Sequence, residues 1–155
     1  MAYQKLQVSR GLGVVTSETV NIPNPAAVSV TSTTDGAGAG KLIDSTVDFT
    51  ALNIRVGDIV YAAAIAATVT AIDSATQLSV STAIPTSNIY TIYSQSTNPS
   101  NGCVLYVGVA GDVRLLTADG DDITLKTVGA GSFLPVQTLK VFATRTTATD
   151  IVAFW

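Results

Sequence analysis

Apolar and polar residues alternate along most of residues 102–155, and short turns interrupt the alternation. A period of two places successive side chains on opposite faces of a strand, so this segment predicts a series of short antiparallel strands. Turns are predicted where Gly and Asp cluster, since these residues supply the backbone conformations that tight turns need. The predicted strands are Val104–Val107, Val113–Thr117, Ile123–Thr127, Phe133–Val136, Leu139–Thr144 and Ile151–Phe154.

The first hundred residues carry the same kind of signal in shorter pieces. Helix signals are weak there: Asp44–Phe49 could form one turn, with Asp44 or Ser45 as N-cap, and Ala62–Ala67 is too short to hold a helix alone. We therefore expect an all-β protein. The strands predicted in this part are Val14–Ile22, Val28–Thr33, a hairpin of Asp58–Ala62 with Thr68–Asp73, Gln77–Ser81 and Ile89–Tyr93.

Two changes in composition divide the chain, at Asn24–Ala26 and at Ser94–Asn101. Each contains an Asn-Pro step, and proline fixes its own φ and restricts the residue before it. The two steps would stiffen the chain where it enters and leaves an inserted segment. Such an insertion is tolerated because the cost of closing a loop grows slowly with its length. We expect residues 1–26 with 99–155 to form a discontinuous small β-sandwich or barrel domain. Residues 27–98 are expected to form an inserted small β-barrel-like domain.

The composition narrows the function classes. Charged residues make up 12% of the chain, about half of what a typical soluble domain carries, so charge opposes close association of subunits only weakly. The net charge is −3 and the eight Lys and Arg residues are dispersed, which argues against binding nucleic acid. The longest weakly polar run, Ile59–Ile72, is too short for a membrane span.

Little in the chain suggests catalysis or a cofactor. There is one cysteine and no histidine, which excludes an intrachain disulfide and a Cys/His zinc site. Cys103 is therefore expected to be a small buried apolar residue. The Gly36–Lys41 segment is one residue short of a phosphate-binding loop, and Leu42 stands where Ser or Thr is needed, so a turn is expected. We predict no enzymatic activity and no cofactor.

The densest group of carboxylates is Asp119, Asp121 and Asp122. Calcium prefers several oxygen ligands, so these residues are weak candidates for a metal site. Their spacing is not that of an EF-hand, and a hairpin turn with carboxylates in water is the preferred interpretation. Paired carboxylates of a small hydrolase are a further alternative, although sugar-cleaving sites usually carry aromatic platforms and this chain has one Trp.

Both chain ends have the character of interaction elements. Alternation in Ile151–Trp155 places Ile151, Ala153 and Trp155 on one face of a strand and Val152 and Phe154 on the other. Near the N-terminus, Ala2–Val8 is predicted to be an arm that adds a strand to its own sheet or to a neighbour's. Arg10–Gly13 separates this arm from the main body. The candidate interaction residues are Tyr3, Leu6, Val8, Phe154 and Trp155.

Several segments resemble one family. Ser17–Pro25 (SETVNIPNP) and Leu105–Val113 (LYVGVAGDV) are similar to consecutive parts of a motif in the head spike base proteins of tailed phages and gene transfer agents. Leu134–Val136, Lys140–Ala143 and Thr146–Ala153 resemble later parts of the same family, in the same order. The resemblance covers most of residues 14–25 and 102–155.

The middle of the chain resembles a different module, which is common in structural proteins of marine phages and cyanophages. Such an inserted module suits a capsid decoration protein as well as a spike base. The segments that carry this second resemblance are Gly40–Thr46, Asp48 with Phe49, Val56–Val60, Val69–Ser79 and Tyr90–Tyr93.

The two resemblances together imply a bacteriophage virion protein that acts as a capsid decoration, or cement, protein. Its implied partners are the outer lattice of the major capsid protein and other copies of itself, as a homo-oligomer and by analogy a trimer. It would be made in the host cytoplasm and reside on the outer capsid surface. The discontinuous domain would anchor it and the insert would be exposed. The alternatives are a vertex spike or fibre base and a glycan-binding host-attachment module.

Overall fold

The computed structural model describes residues 8–95 and 99–155. These two ranges contain twelve strands and no helix, which confirms the predicted all-β class. The strands, in chain order, are β1 Gly11–Gly13, β2 Val28–Thr33, β3 Lys41–Ile43, β4 Ile59–Ala62, β5 Ile65–Ser74, β6 Gln77–Val80, β7 Ile89–Tyr93, β8 Cys103–Val109, β9 Gly111–Thr117, β10 Asp122–Val128, β11 Ser132–Val141 and β12 Thr149–Phe154.

The described chain divides into two compact units. The first contains residues up to Glu18 and from Asn101 to Trp155, and the second contains residues from Thr19 to Ser100. Each unit holds one six-stranded antiparallel sheet. The functional division into an anchoring domain and an exposed insert stays a prediction.

The sheet of the first unit has the strand order β1-β12-β8-β11-β9-β10. Its core lies on one face, because residues alternate between buried and partly exposed along β8, β9 and β12. In β12 this alternation confirms the predicted faces, since Ile151 and Ala153 are buried whereas Val152 and Phe154 are partly exposed. The buried apolar residues of these strands include Cys103, Leu105, Val107, Val113, Leu115, Leu134, Val141, Ile151 and Ala153.

The sheet of the second unit has the order β2-β7-β4-β5-β6-β3 and closes on itself. Closure occurs just beyond β2, where the Asp35 amide donates to the Ile43 carbonyl at 3.1 Å and Gly36 forms a bridge with Ile43. The result is the small barrel-like unit that the fold class predicted. Its interior is filled by Leu42, Phe49, Ile54, Val60, Ala62, Ala67, Val69, Leu78, Val80, Ile84, Tyr90 and Ile92.

Several predicted elements are wrong in place or number. The early strand predicted over residues 14–22 does not form; the first strand is Gly11–Gly13, the segment that was expected to separate the arm from the body. It forms because its backbone pairs with β12, whose N–H and C=O groups need hydrogen-bond partners. This pairing outweighs the poor strand propensity of glycine. Strand β3 was not predicted.

Two further differences have local causes. The strands predicted at residues 133–136 and 139–144 are one bent strand, β11, whose register shifts between Leu134 and Thr138. Pro135 lies in that shift, where its missing N–H is tolerated. The Ala62–Ala67 segment is the β4–β5 hairpin, and Ala63 adopts a positive φ of 49° in its turn.

Candidate functional site

One face of the first unit's sheet carries a cluster of apolar side chains that does not belong to its core. The pairing registers place Tyr106 opposite both Phe133 and Val152, and Phe154 opposite Val104, all on the side away from the buried residues. We call this set the aromatic face. Its members are Val104, Tyr106, Phe133, Val152 and Phe154.

The aromatic face is held together by ring contacts. The ring centroids of Tyr106 and Phe133 are 5.2 Å apart, and those of Phe133 and Phe154 are 6.2 Å apart, both with tilted planes. Such geometries stabilise aromatic pairs beyond simple burial. Phe133 is nevertheless 59% exposed, which leaves a large apolar surface in the centre of the cluster facing solvent. Exposed clusters of this type are typical of interaction sites.

Strand β1 borders the aromatic face and contributes no side chains to it. Gly11 is paired with Phe154, and a Cβ at Gly11 would lie 3.0 Å from the Cε1 atom of the Phe154 ring. A side chain at Gly11 would therefore displace this ring. A Cβ at Gly13 would meet nothing within 4 Å. The sheet thus ends in a short strand without charged residues next to the aromatic rings.

The candidate interaction residues at the chain ends lie at different places. Phe154 belongs to the aromatic face. Val8 is exposed and precedes Ser9, whose amide donates to the Trp155 carbonyl at 2.7 Å. Trp155 is partly exposed, and its indole Nε1 is buried with no hydrogen-bond partner among the described residues. Tyr3 and Leu6 lie outside the described residues.

The three weak metal candidates sit in the β9–β10 hairpin without forming a site. Asp122 is paired with Arg114, whose Nε and Nη2 donate to the two carboxylate oxygens at 2.9 and 2.5 Å. Hydrogen bonds from Arg114 hold the pKa of the Asp122 carboxyl below its usual value. Asp119 and Asp121 are exposed in the turn. No cluster of three potential metal ligands occurs within residues 8–95 and 99–155.

Arg114 also anchors the segment that leaves the first unit toward the second. Its guanidinium carbon lies 4.1 Å from the centroid of the Phe142 ring, and its Nη1 is 3.8 Å from a Glu18 carboxylate oxygen. The Thr144 amide donates to the other Glu18 oxygen at 2.6 Å, and this bond lowers the pKa of Glu18. Arg114 contacts both carboxylates, Glu18 and Asp122, so we assign this cluster a structural role.

The cysteine and the lysine of the glycine-rich segment both have hydrogen-bond partners. Cys103 is buried, its thiol donates to the Thr138 carbonyl at 3.2 Å, and burial raises its pKa to about 12, so the reactive thiolate is strongly disfavoured near neutral pH. Lys41, from the glycine-rich segment, binds Asp73 and Ser79 at 2.9 and 2.8 Å instead of facing an open loop.

The second unit contains a fully buried carboxylate. Asp44 accepts a hydrogen bond from the Tyr90 hydroxyl at 2.8 Å and from the Thr46 amide at 2.8 Å. Asp44 thus caps a turn, but the helical turn considered for Asp44–Phe49 does not form. Because its oxygens are bonded inside the barrel-like unit, we assign Asp44 a structural role.

Sequence reasoning identified Phe154 but missed Tyr106 and Phe133. Alternation reveals two faces of a strand, whereas the identity of the core face depends on how distant strands pair. One signal was available. Tyr106 is adjacent in sequence to the buried Leu105, and Phe133 to the buried Leu134, so each aromatic residue must lie on the opposite face of its strand.

No protein-family model, curated protein or solved structure matches this chain. In the part of the chain that the structure describes, there is no helix with the length and apolar character needed to cross a membrane.

Proposed function

We propose that this chain is a non-enzymatic structural protein of a bacteriophage virion that decorates the head. It binds the outer surface of the major capsid protein lattice and stabilises the shell. The observation that carries the proposal is the aromatic face, with Phe133 59% exposed on the sheet of a charge-poor chain. The resemblance of residues 14–25 and 102–155 to head spike base proteins supplies the virion setting.

The proposed mechanism is burial of the aromatic face against assembled capsid protein. Aromatic side chains dominate the centres of protein interfaces. A ligand that binds the assembled shell but not its separated subunits stabilises the shell by mass action. Five side chains are few compared with the roughly 20–30 residues per side of a standard interface, so a single contact is weak. Several copies acting together multiply such contacts into avidity.

The two units have separate roles in this proposal. The first unit, which carries the aromatic face, anchors the protein on the capsid, and the second unit is the exposed module. The protein is made in the host cytoplasm and ends on the outer surface of the virion. It acts as a homo-oligomer.

A co-sedimentation assay with capsids that lack this protein tests the anchor. We expect Phe133→Ser to weaken binding at least tenfold, because it removes the most exposed ring of the aromatic face. Ile89→Ser is the matched control, since Ile89 is 69% exposed on the second unit. Equal binding by both variants and the unaltered chain would contradict the proposed anchor.

A vertex spike or fibre base is the second candidate, and it is favoured by the same resemblance in residues 14–25 and 102–155. The two candidates differ in the number of copies on each particle. Decoration of the lattice places copies over the whole shell, whereas a spike base is confined to the vertices. Quantitative mass spectrometry of purified virions, with the major capsid protein as the internal standard, separates them.

A further inference from the structure

The first unit's sheet ends in two edge strands, β1 and β10. An edge strand presents unpaired backbone groups to which another chain can add, and proteins usually block such edges with charged residues or bulges. The two edges of this sheet differ in this respect, and the difference identifies where a partner can bind.

The β10 edge is blocked. Asp122 and Lys126 place charged side chains along it, paired with Arg114 and Asp112. Thr127 adopts a positive φ of 49° at a register shift, and its amide donates to the Asp112 carboxylate at 2.9 Å. A β-branched residue in this conformation breaks the regular edge that an added strand would need.

No strand among the described residues 8–95 and 99–155 pairs with the outer side of β1. The Trp155 amide donates to the Arg10 carbonyl and the Val14 amide donates to the Ile151 carbonyl, at 3.1 and 2.9 Å. Because alternate residues of an antiparallel strand bond to the same side, Gly11 and Gly13 direct their backbone groups away from β12. Both glycines are exposed. The edge between Gly11 and Gly13 has no charged residue and no register shift.

We infer that a second copy of this chain binds this edge, with the two β1 strands antiparallel about a two-fold axis at Leu12. In this register Gly11 of each copy faces Gly13 of the other, and the two residues exchange backbone hydrogen bonds. Arg10 faces Val14 of the other copy, so no like charges oppose each other. The self-complementary register and the absence of side chains at both bonding positions favour a second copy over an unrelated strand.

The pairing also joins the two aromatic faces. A two-fold axis perpendicular to the sheet keeps the same face of both sheets on one side. The Phe154 rings then flank a shallow seam above the glycines, where no Cβ stands between them. The apolar surface on that side is doubled. The inference concerns the chain alone and does not depend on binding to a capsid.

The test is the mass of the full chain in solution, measured by sedimentation equilibrium at several concentrations. We expect a concentration-dependent mass of two chains. Gly13→Pro removes an outward N–H without touching a bond to β12, and it should yield single chains. Gly13→Ala keeps the N–H, adds a Cβ into open space, and should still pair. A single-chain or three-chain mass for the unaltered protein would overturn the inference, as would pairing by Gly13→Pro.

Two variants with opposite charges at residue 13 test the same interface in case proline disturbs the fold. Gly13→Glu and Gly13→Lys place like charges close to the axis in a pair of identical chains, so each variant alone should be a single chain. An equimolar mixture should pair, and added salt should weaken this pairing. A mixture that stays single, or variants that pair alone as well as the unaltered chain, would show that β1 is not the interface.

Discussion

At the scale of single residues, the polar groups of this protein hold the backbone in place, and an apolar ring is the candidate for function. Asp44, Asp112 and Asp122 each accept hydrogen bonds from side chains or amides nearby. Phe133 has aromatic neighbours on its own sheet but keeps most of its surface exposed. An exposed ring held by other rings is pre-organised for binding, because little side-chain freedom is lost on contact.

Asp44 should make stability depend on pH. Desolvation raises its pKa, but hydrogen bonds from Ser32, Thr46 and Tyr90 outweigh it, so its folded pKa is below the usual value. A depressed pKa contributes stability that is present above the unfolded pKa and lost as pH falls through the folded pKa. Asp44→Asn should therefore lower the free energy of unfolding at pH 7 by about 2 kcal/mol and by much less at acid pH.

Urea unfolding at a series of pH values measures this effect. Asp119→Asn is the control, since Asp119 is exposed in a hairpin turn. An equal loss of stability at every pH for Asp44→Asn would refute an ionised, hydrogen-bonded Asp44.

At the scale of elements, strand existence was predictable from the sequence where alternation is regular. The strands of residues 102–155 were found because apolar and β-branched runs, some of them alternating as in Ile123–Thr127, are separated by turns that contain Gly or Asp. Strand β1 was missed because Gly-Leu-Gly has no alternation of its own and depends on β12 for its formation. The aromatic face was predicted only at Val152 and Phe154, since Tyr106 and Phe133 join it through pairing of distant strands.

The start of β9 passes so close to the chain before β12 that it requires glycine. A Cβ at Gly111 would lie 2.4 Å from the Ala148 backbone nitrogen, a contact that cannot be relieved by moving a side chain. Gly111→Ala should therefore cost roughly 1–3 kcal/mol of stability through overpacking.

Thermal unfolding compares this variant with Gly129→Ala, whose Cβ would lie 3.4 Å from the Ser132 hydroxyl and whose expected effect is small. Equal melting temperatures for Gly111→Ala and the unaltered protein would show that the two segments are not in contact as described.

At the scale of the whole molecule, the chain is an all-β protein whose two compact units each have their own sheet and buried residues. The second unit closes its sheet beside Ile43. Among the described residues, the first unit leaves an aromatic face and the outer side of β1 exposed, and these two features support the proposed role in assembly. The fold class followed from the sequence alone, whereas the virion setting rests on the resemblance of separate segments and is a proposal.

The most direct test of the proposed function is an image of phage particles that assemble with and without this protein, obtained by electron cryomicroscopy at low resolution. The account predicts additional density repeated over the outer capsid lattice when the protein is present, and loss of this density for Phe133→Ser but not for Ile89→Ser. Identical shells with and without the protein, or density confined to the interior or the tail, would contradict it.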